Sequence, residues 1–198
     1  MRITKYMERH GHEQLAVWTD SAAGLRAFIA IHDTTLGPSL GAVHICPHET
    51  EETAILDVLR FSRAMTYKAA VAGLPLGGGN ALIMADPHKD KAAAMFGSFG
   101  RFVDTLGGRY ITTEGMGAST QDLEWASYET DYVVGLPEAL GGNGNPSSVT
   151  GFGIFQGMRA CAKAAWGSAS LEGRTVVVAG RLAEERIAAV RGTQQVYR

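Results

Sequence analysis

Met65-Thr-Tyr-Lys-Ala-Ala-Val-Ala-Gly-Leu-Pro-Leu-Gly-Gly-Gly-Asn80 is the stretch around which the rest of the chain is organised. It reads as the end of a helix that passes through Gly73 and Pro75. It then meets three consecutive glycines, Gly77, Gly78 and Gly79, ahead of an apolar strand at Ala81–Met84. Three glycines carry no side chain, so a ligand could come up to the backbone there. Lys68 stands just upstream in largely apolar company, where burial would strip it of water. An amine beside a glycine floor suits a small anion. Asn80, which closes the stretch, has an amide that donates and accepts hydrogen bonds but cannot act as a general base.

Upstream, Ile3 to His10 reads as a short amphipathic helix. Gln14–Trp18 and Leu25–His32 alternate or run apolar around Asp20-Ser-Ala-Ala-Gly24, which is a hairpin signal. Gly41–Cys46 reads as a strand ended by Pro47. Thr50, followed by Glu51 and Glu52, caps a helix whose apolar positions Ile55, Val58, Leu59 and Met65 recur at helical spacing. Downstream, Asp86-Pro87 reads as the start of a helix carrying Phe96, Phe99 and Phe102, a core stripe. A strand is expected over Arg109–Thr112 and a helix over Thr120–Ser127. A longer helix is expected over Thr150–Trp166, a strand over Arg174–Ala179 and a terminal helix over Arg181–Tyr197. Alternating strands and helices predict an α/β fold with a mixed sheet. The expected organisation is a first domain over residues 1–135, with residues 136–198 adding a linker helix, a strand and a terminal helix.

Composition narrows the classes. With 198 residues and 45% apolar content the chain can bury a core. A formal charge of −2 and no basic block speak against a nucleic-acid partner. No apolar run reaches the ~20 residues that span a bilayer, so no membrane partner is expected. The first ten residues hold no apolar signal core, and the two cysteines, Cys46 and Cys161, are far apart. A cytoplasmic protein with reduced thiols is expected.

Six segments together resemble one family. They are Ile31-His-Asp-Thr-Thr-Leu-Gly-Pro38, Met65-Thr-Tyr-Lys68, Leu76-Gly-Gly-Gly79, Gly108-Arg-Tyr-Ile-Thr112, Glu129-Thr-Asp131 and Gly144-Asn-Pro-Ser-Ser-Val-Thr150. They closely resemble the leucine dehydrogenase family of the Glu/Leu/Phe/Val amino-acid dehydrogenase superfamily, over residues 1 to about 180. The resemblance implies oxidative deamination of an amino acid with NAD. It also implies a substrate pocket and assembly surfaces in the first domain, a Rossmann domain after it, and dimers or larger rings. On that likeness Lys68 binds the substrate carboxylate, and Leu40, Gly41, Met65, Pro146 and Thr150 surround it; Gly77 and Gly78 are expected to form the floor beneath the bound acid.

The departures from the family pattern are as informative as the match. Where the resemblance calls for a catalytic lysine the chain has Asn80, and where it calls for an acid in proton transfer the chain has Gly115. Val176-Val-Val-Ala-Gly180 resembles the first Rossmann strand, but no glycine fingerprint follows. Arg181 onward resembles the family's last helix, as if the middle of the Rossmann domain were missing. A βαβ unit is the minimum that seats a pyrophosphate on a helix N-terminus, so no cofactor is expected and NAD binding is expected to be lost.

Several readings stay open at this point. Asn80 is a new hydrogen-bonding group or the scar of a lost lysine. His44 and Glu114 are candidates, with Asn80, for a catalytic set. His44, Cys46 and His48 would share one strand face and offer metal ligands, though Pro47 disturbs the strand and the spacing is a weak metal signal. The leading function is binding of an α-amino or 2-oxo acid with a non-redox step: condensation, cyclisation, imine chemistry or tautomerisation. The alternatives are a catalytically dead assembly module and a residual oxidoreductase. A homo-oligomer is expected in each case.

Overall fold

The computed structural model describes residues 2–144 and 147–175. Pro146 and nearly all of the strand and terminal helix expected beyond Arg174 lie outside the described residues. The chain forms two compact units, Met1–Pro146 and Ser147–Arg198; the sequence reading drew its boundary earlier, at 135.

The first unit is an α/β domain. Its elements are α1 (Ile3–His10), β1 (Gln14–Asp20), β2 (Leu25–Asp33), β3 (Ser39–Ile45), α2 (Glu51–Val71), β4 (Gly77–Ile83), α3 (Ala93–Asp104), β5 (Tyr110–Glu114) and α4 (Thr120–Ser127). The described strands form one mixed sheet in the order β1-β2-β4-β3-β5. β1 and β2 are the expected hairpin, with Gln14 opposite Ile31 and Asp20 opposite Leu25. β4 runs antiparallel to β2 and parallel to β3, and β3 runs parallel to β5.

Period-two alternation sorts the core onto the two sheet faces. Ile29, Ile31, Val43, Ile45, Ala81 and Ile83 pack with Phe96, Phe99 and Phe102 of α3. Phe28, Ala30 and Leu82 pack with Ala54, Ile55, Val58 and Leu59 of α2. The phenylalanine stripe is therefore core, as its spacing indicated. α2 starts where Thr50 predicted: the Thr50 hydroxyl accepts from the Thr53 amide at 3.2 Å. α3 starts later than expected, at Ala93. The Asp86 carboxylate accepts from the His88 amide and the Asp90 carboxylate from the Asp86 amide, so residues 86–90 close as a turn.

The glycine run is the main correction. Gly77–Gly79 do not stand ahead of the strand; they are the buried start of β4. A Cβ on Gly78 would lie 2.1 Å from the amide nitrogen of Thr66 in α2. A Cβ on Gly79 would lie 2.6 Å from the Tyr110 ring, and one on Gly77 2.1 Å from the Asp33 carbonyl oxygen. The glycines let helix, ring and neighbouring strand come up to the backbone, which accounts for all three without a ligand.

In the second unit, α5 runs Ser147–Trp166, starting three residues before the expected Thr150. The Arg174 guanidinium lies 4.2 Å over the Trp166 ring.

Candidate functional site

β3 and β5 carry side chains of two kinds. Ser39, Gly41, Val43, Ile45, Tyr110 and Thr112 are buried, whereas Leu40, Ala42, His44, Ile111 and Thr113 are only partly covered. The second set faces the α2 side, because Leu40 and His44 alternate with Val43 and Ile45 of the α3-side core. α2 packs mainly on β2 and β4. It leaves a half-open shelf on β3 and β5, walled by the helix.

That wall is built by helical spacing. Phe61, Met65 and Lys68 follow at i, i+4 and i+7 and lie along one edge of α2, while Leu59, Ser62 and Ala69 turn inward. His44 stacks on Phe61, with ring centroids 4.8 Å apart and planes 20° from parallel. Lys68 is exposed in the last turn of α2. The burial expected from its apolar neighbours is absent, because Ala69 takes the inward position and Lys68 does not. An exposed, flexible ammonium can pair with a carboxylate.

Asn80 lies in β4 on the same face as His44. The register pairs His44 with Leu82, two residues on, so the two are diagonal neighbours. Asn80 is 2% exposed and its Oδ1 has no hydrogen-bond partner. His44 Nδ1 is also buried without a partner, and burial pushes the His44 pKa below 6.5. Two unpartnered polar atoms on one sheet face are uncommon in a settled core.

Position 115 belongs to this same corner. A Cβ there would meet the Val43 carbonyl oxygen at 2.5 Å, the Ala42 Cβ at 2.8 Å and His44 Cδ2 at 3.1 Å. Glu114 does not join the group. It follows Tyr110 and Thr112 on the α3 side of the sheet and accepts a hydrogen bond from the Thr120 hydroxyl at 3.2 Å. The expected catalytic trio is thus divided, with His44 and Asn80 on one face and Glu114 on the other.

The metal constellation does not assemble either. His44 stacks on Phe61, whereas Cys46 Sγ lies 3.4 Å from His48 Nδ1 and His48 Nε2 lies 3.1 Å from Asp57. Among the described residues no group of three His, Cys, Asp or Glu side chains is arranged to hold a metal. Gly41 is buried in β3, and its Cβ would collide with the Gly79 carbonyl oxygen at 1.7 Å. Thr150 is exposed in the first turn of α5, in the second unit. Phe61, Ala42, Ile111 and Thr113 complete the shelf and were not singled out from sequence. Spacing of two from Leu40 and of four from Met65 would have found Ala42 and Phe61.

The model of the Glu/Leu/Phe/Val dehydrogenase dimerisation domain matches residues 11–132. The chain belongs to the Glu/Leu/Phe/Val dehydrogenase family. It is 53% identical over 180 residues to a leucine dehydrogenase of Bacillus subtilis (strain 168), covering 91% of this chain and 50% of that protein. A valine dehydrogenase of Streptomyces virginiae is 47% identical over 175 residues, with 88% and 49% covered. Among solved structures, an L-tryptophan dehydrogenase from Nostoc punctiforme matches at a TM-score of 0.67 and 41% identity, covering 86% of this chain and 48% of that one. The chain spans about half the length of the curated relatives it matches. Within the described residues no helix is long and apolar enough to cross a membrane.

Proposed function

We propose that this member of the family binds an α-amino or 2-oxo acid on the α2-side shelf and carries out no hydride transfer by itself. Lys68 takes the carboxylate, and Leu40 and Met65 flank the side chain of the bound acid. One observation carries the reading. At the two positions where the family pattern calls for proton-transfer groups, the chain has a buried amide with an unpartnered oxygen, Asn80, and a glycine with no room for a Cβ, Gly115. NAD binding is lost, the domain assembles into a homo-oligomer through its family dimerisation surfaces, and the setting is cytoplasmic.

A second reading adds a non-redox step. It is favoured by His44, whose burial keeps the ring neutral and whose Nδ1 has no partner. A neutral imidazole beside a bound 2-oxo acid is a proton acceptor for tautomerisation at C3.

Calorimetric titration with a branched-chain amino acid and its 2-oxo acid tests the first reading. Binding that weakens tenfold or more in Lys68→Ala is expected, with no quenching of NADH fluorescence. Equal binding by that variant, or none by the parent chain, overturns it, and NADH quenching revives the residual oxidoreductase. Loss of the C3 proton signal of the 2-oxo acid in deuterated water, abolished by His44→Gln, is expected if the second reading holds.

A further inference from the structure

At the end of β3 three side chains line up that the shelf does not use. β3 stops at Ile45, and Pro47 turns the chain away. His48 is thereby set with Nδ1 3.4 Å from Cys46 Sγ and Nε2 3.1 Å from Asp57 Oδ2, on the second turn of α2. The chemistry of the ring follows from its acid neighbour. A carboxylate only accepts hydrogen bonds, so Nε2 carries the proton and donates it to Asp57. Nδ1 is then left to accept from the Cys46 thiol; it also lies 3.4 Å from the Cys46 carbonyl oxygen, which has no proton to give. Nucleophile, base and orienting carboxylate stand in series, the relation that activates a thiol or hydroxyl in covalent catalysis.

We propose that Cys46, His48 and Asp57 form a thiol-exchange site that takes small disulfides. Sγ attacks one sulfur of the disulfide as its proton passes to His48 Nδ1. The disulfide bond breaks, a Cys46 mixed disulfide forms, and the leaving thiolate takes the proton back from the imidazolium. Sγ is oxidised and the leaving sulfur is reduced, so the exchange needs no other electron acceptor.

The base is necessary at this site. Burial, and then the Asp57 carboxylate, push the Cys46 thiol above its ordinary value of 9.0, so little free thiolate stands ready at neutral pH. Cys46 remains partly exposed, whereas the His48 side chain is 11% exposed. His48 and Pro47 line a cavity of about 630 Å³ whose wall does not include Cys46. Arg26 stands in that wall together with Asp86 and Asp90.

The test uses the full chain with Cys161→Ser, which removes the exposed thiol of α5. Cystine and the aromatic disulfide DTNB are the probes, read as thiol release and as a mass-mapped adduct. The expected result is adduct on Cys46, with exchange slowed tenfold or more by His48→Gln and by Asp57→Asn. Both variants should match the parent once all are unfolded in urea, which separates a lost base from a lost fold. No adduct on Cys46, or native-state rates in both variants equal to or above the parent, overturns the proposal. A metal-free buffer with chelator should leave the rates unchanged; a chelator-sensitive rate also overturns it.

Discussion

Gly115 faces His44 so closely that a Cβ at position 115 would stand 3.1 Å from the imidazole Cδ2 and 2.5 Å from the carbonyl oxygen of Val43. The loss of an acid at this position is therefore built into the packing. Restoring it requires the backbone of β3 to move. Gly115→Asp should destabilise the domain by about 1–3 kcal/mol, the usual range for overpacking, and should leave NAD-dependent turnover undetectable. A urea midpoint equal to the parent's would show that the corner is loose and the argument from packing wrong.

Asn80 gives the opposite expectation. Its buried Oδ1 lacks a partner, and a buried polar atom left unpaired costs about 1–3 kcal/mol. Asn80→Leu, with the same number and branching of side-chain heavy atoms and without the polar burden, should leave stability unchanged or raise it. A fall of more than about 1 kcal/mol would mean that the amide makes a bond that matters to the fold.

Gly78 tests the corrected reading of the glycine run. A Cβ there would sit 2.1 Å from the Thr66 amide nitrogen and 2.5 Å from the Ser62 carbonyl oxygen, both main-chain atoms of α2. Gly78→Ala should cost about 3 kcal/mol or more, since backbone atoms cannot step aside as a side chain can. Thermal unfolding of the parent and the variant decides it. A ligand-floor glycine would tolerate the methyl in the fold and lose binding alone.

Acid should loosen the corner where α1 meets α2. His12 Nε2 donates to the Leu59 carbonyl at 2.8 Å while its Nδ1 is buried without a partner, and His10 Nδ1 accepts from Arg63 at 3.1 Å, which requires a neutral His10 ring. Burial, then the Arg63 charge and other neighbours, hold the His10 pKa below 6.5. Burial, opposed by the Leu59 carbonyl and aided by His32, His10 and Arg63, does the same for His12. Below about pH 6.5 the unfolded chain thus binds more protons than the folded one, and stability falls as pH drops. Asp20, Asp33 and Asp86, all lowered from 3.8, act only in a separate and more acid window. The urea midpoint should be lower at pH 5.5 than at 7.5 (values chosen to straddle the ordinary histidine range). His12→Gln, which keeps a donor for Leu59, should shrink that difference. A midpoint that holds or rises on acidification refutes the account.

Elements with strong local signals were legible in the sequence. The hairpin of β1 and β2, the Thr50 cap and the α3 stripe are set by neighbours close in the chain, and they stand where the pattern put them. Features decided by distant neighbours were not legible. Three glycines give one signal whether a ligand or a helix approaches them, and only the fold brings Thr66 over Gly78. Apolar neighbours around Lys68 suggested burial, yet a helix turns adjacent residues about 100° apart, so Ala69 is covered and Lys68 is not. The sheet face of Glu114 follows from period two, but only once the start of β5 at Tyr110 is known. Asp57 entered no sequence motif, because the turn at Pro47 brings it to His48.

The contact of Gly78 with Thr66 has one more consequence. Lys68 rides two residues beyond the point where α2 rests directly on β4, main chain against main chain, with no side chain as a spacer. Its height above the shelf is therefore a fixed mechanical tolerance. Volume changes among Ile55, Val58 or Leu59 can reshape the interior, but the ruler that places the root of the ammonium is made of atoms that substitution does not exchange.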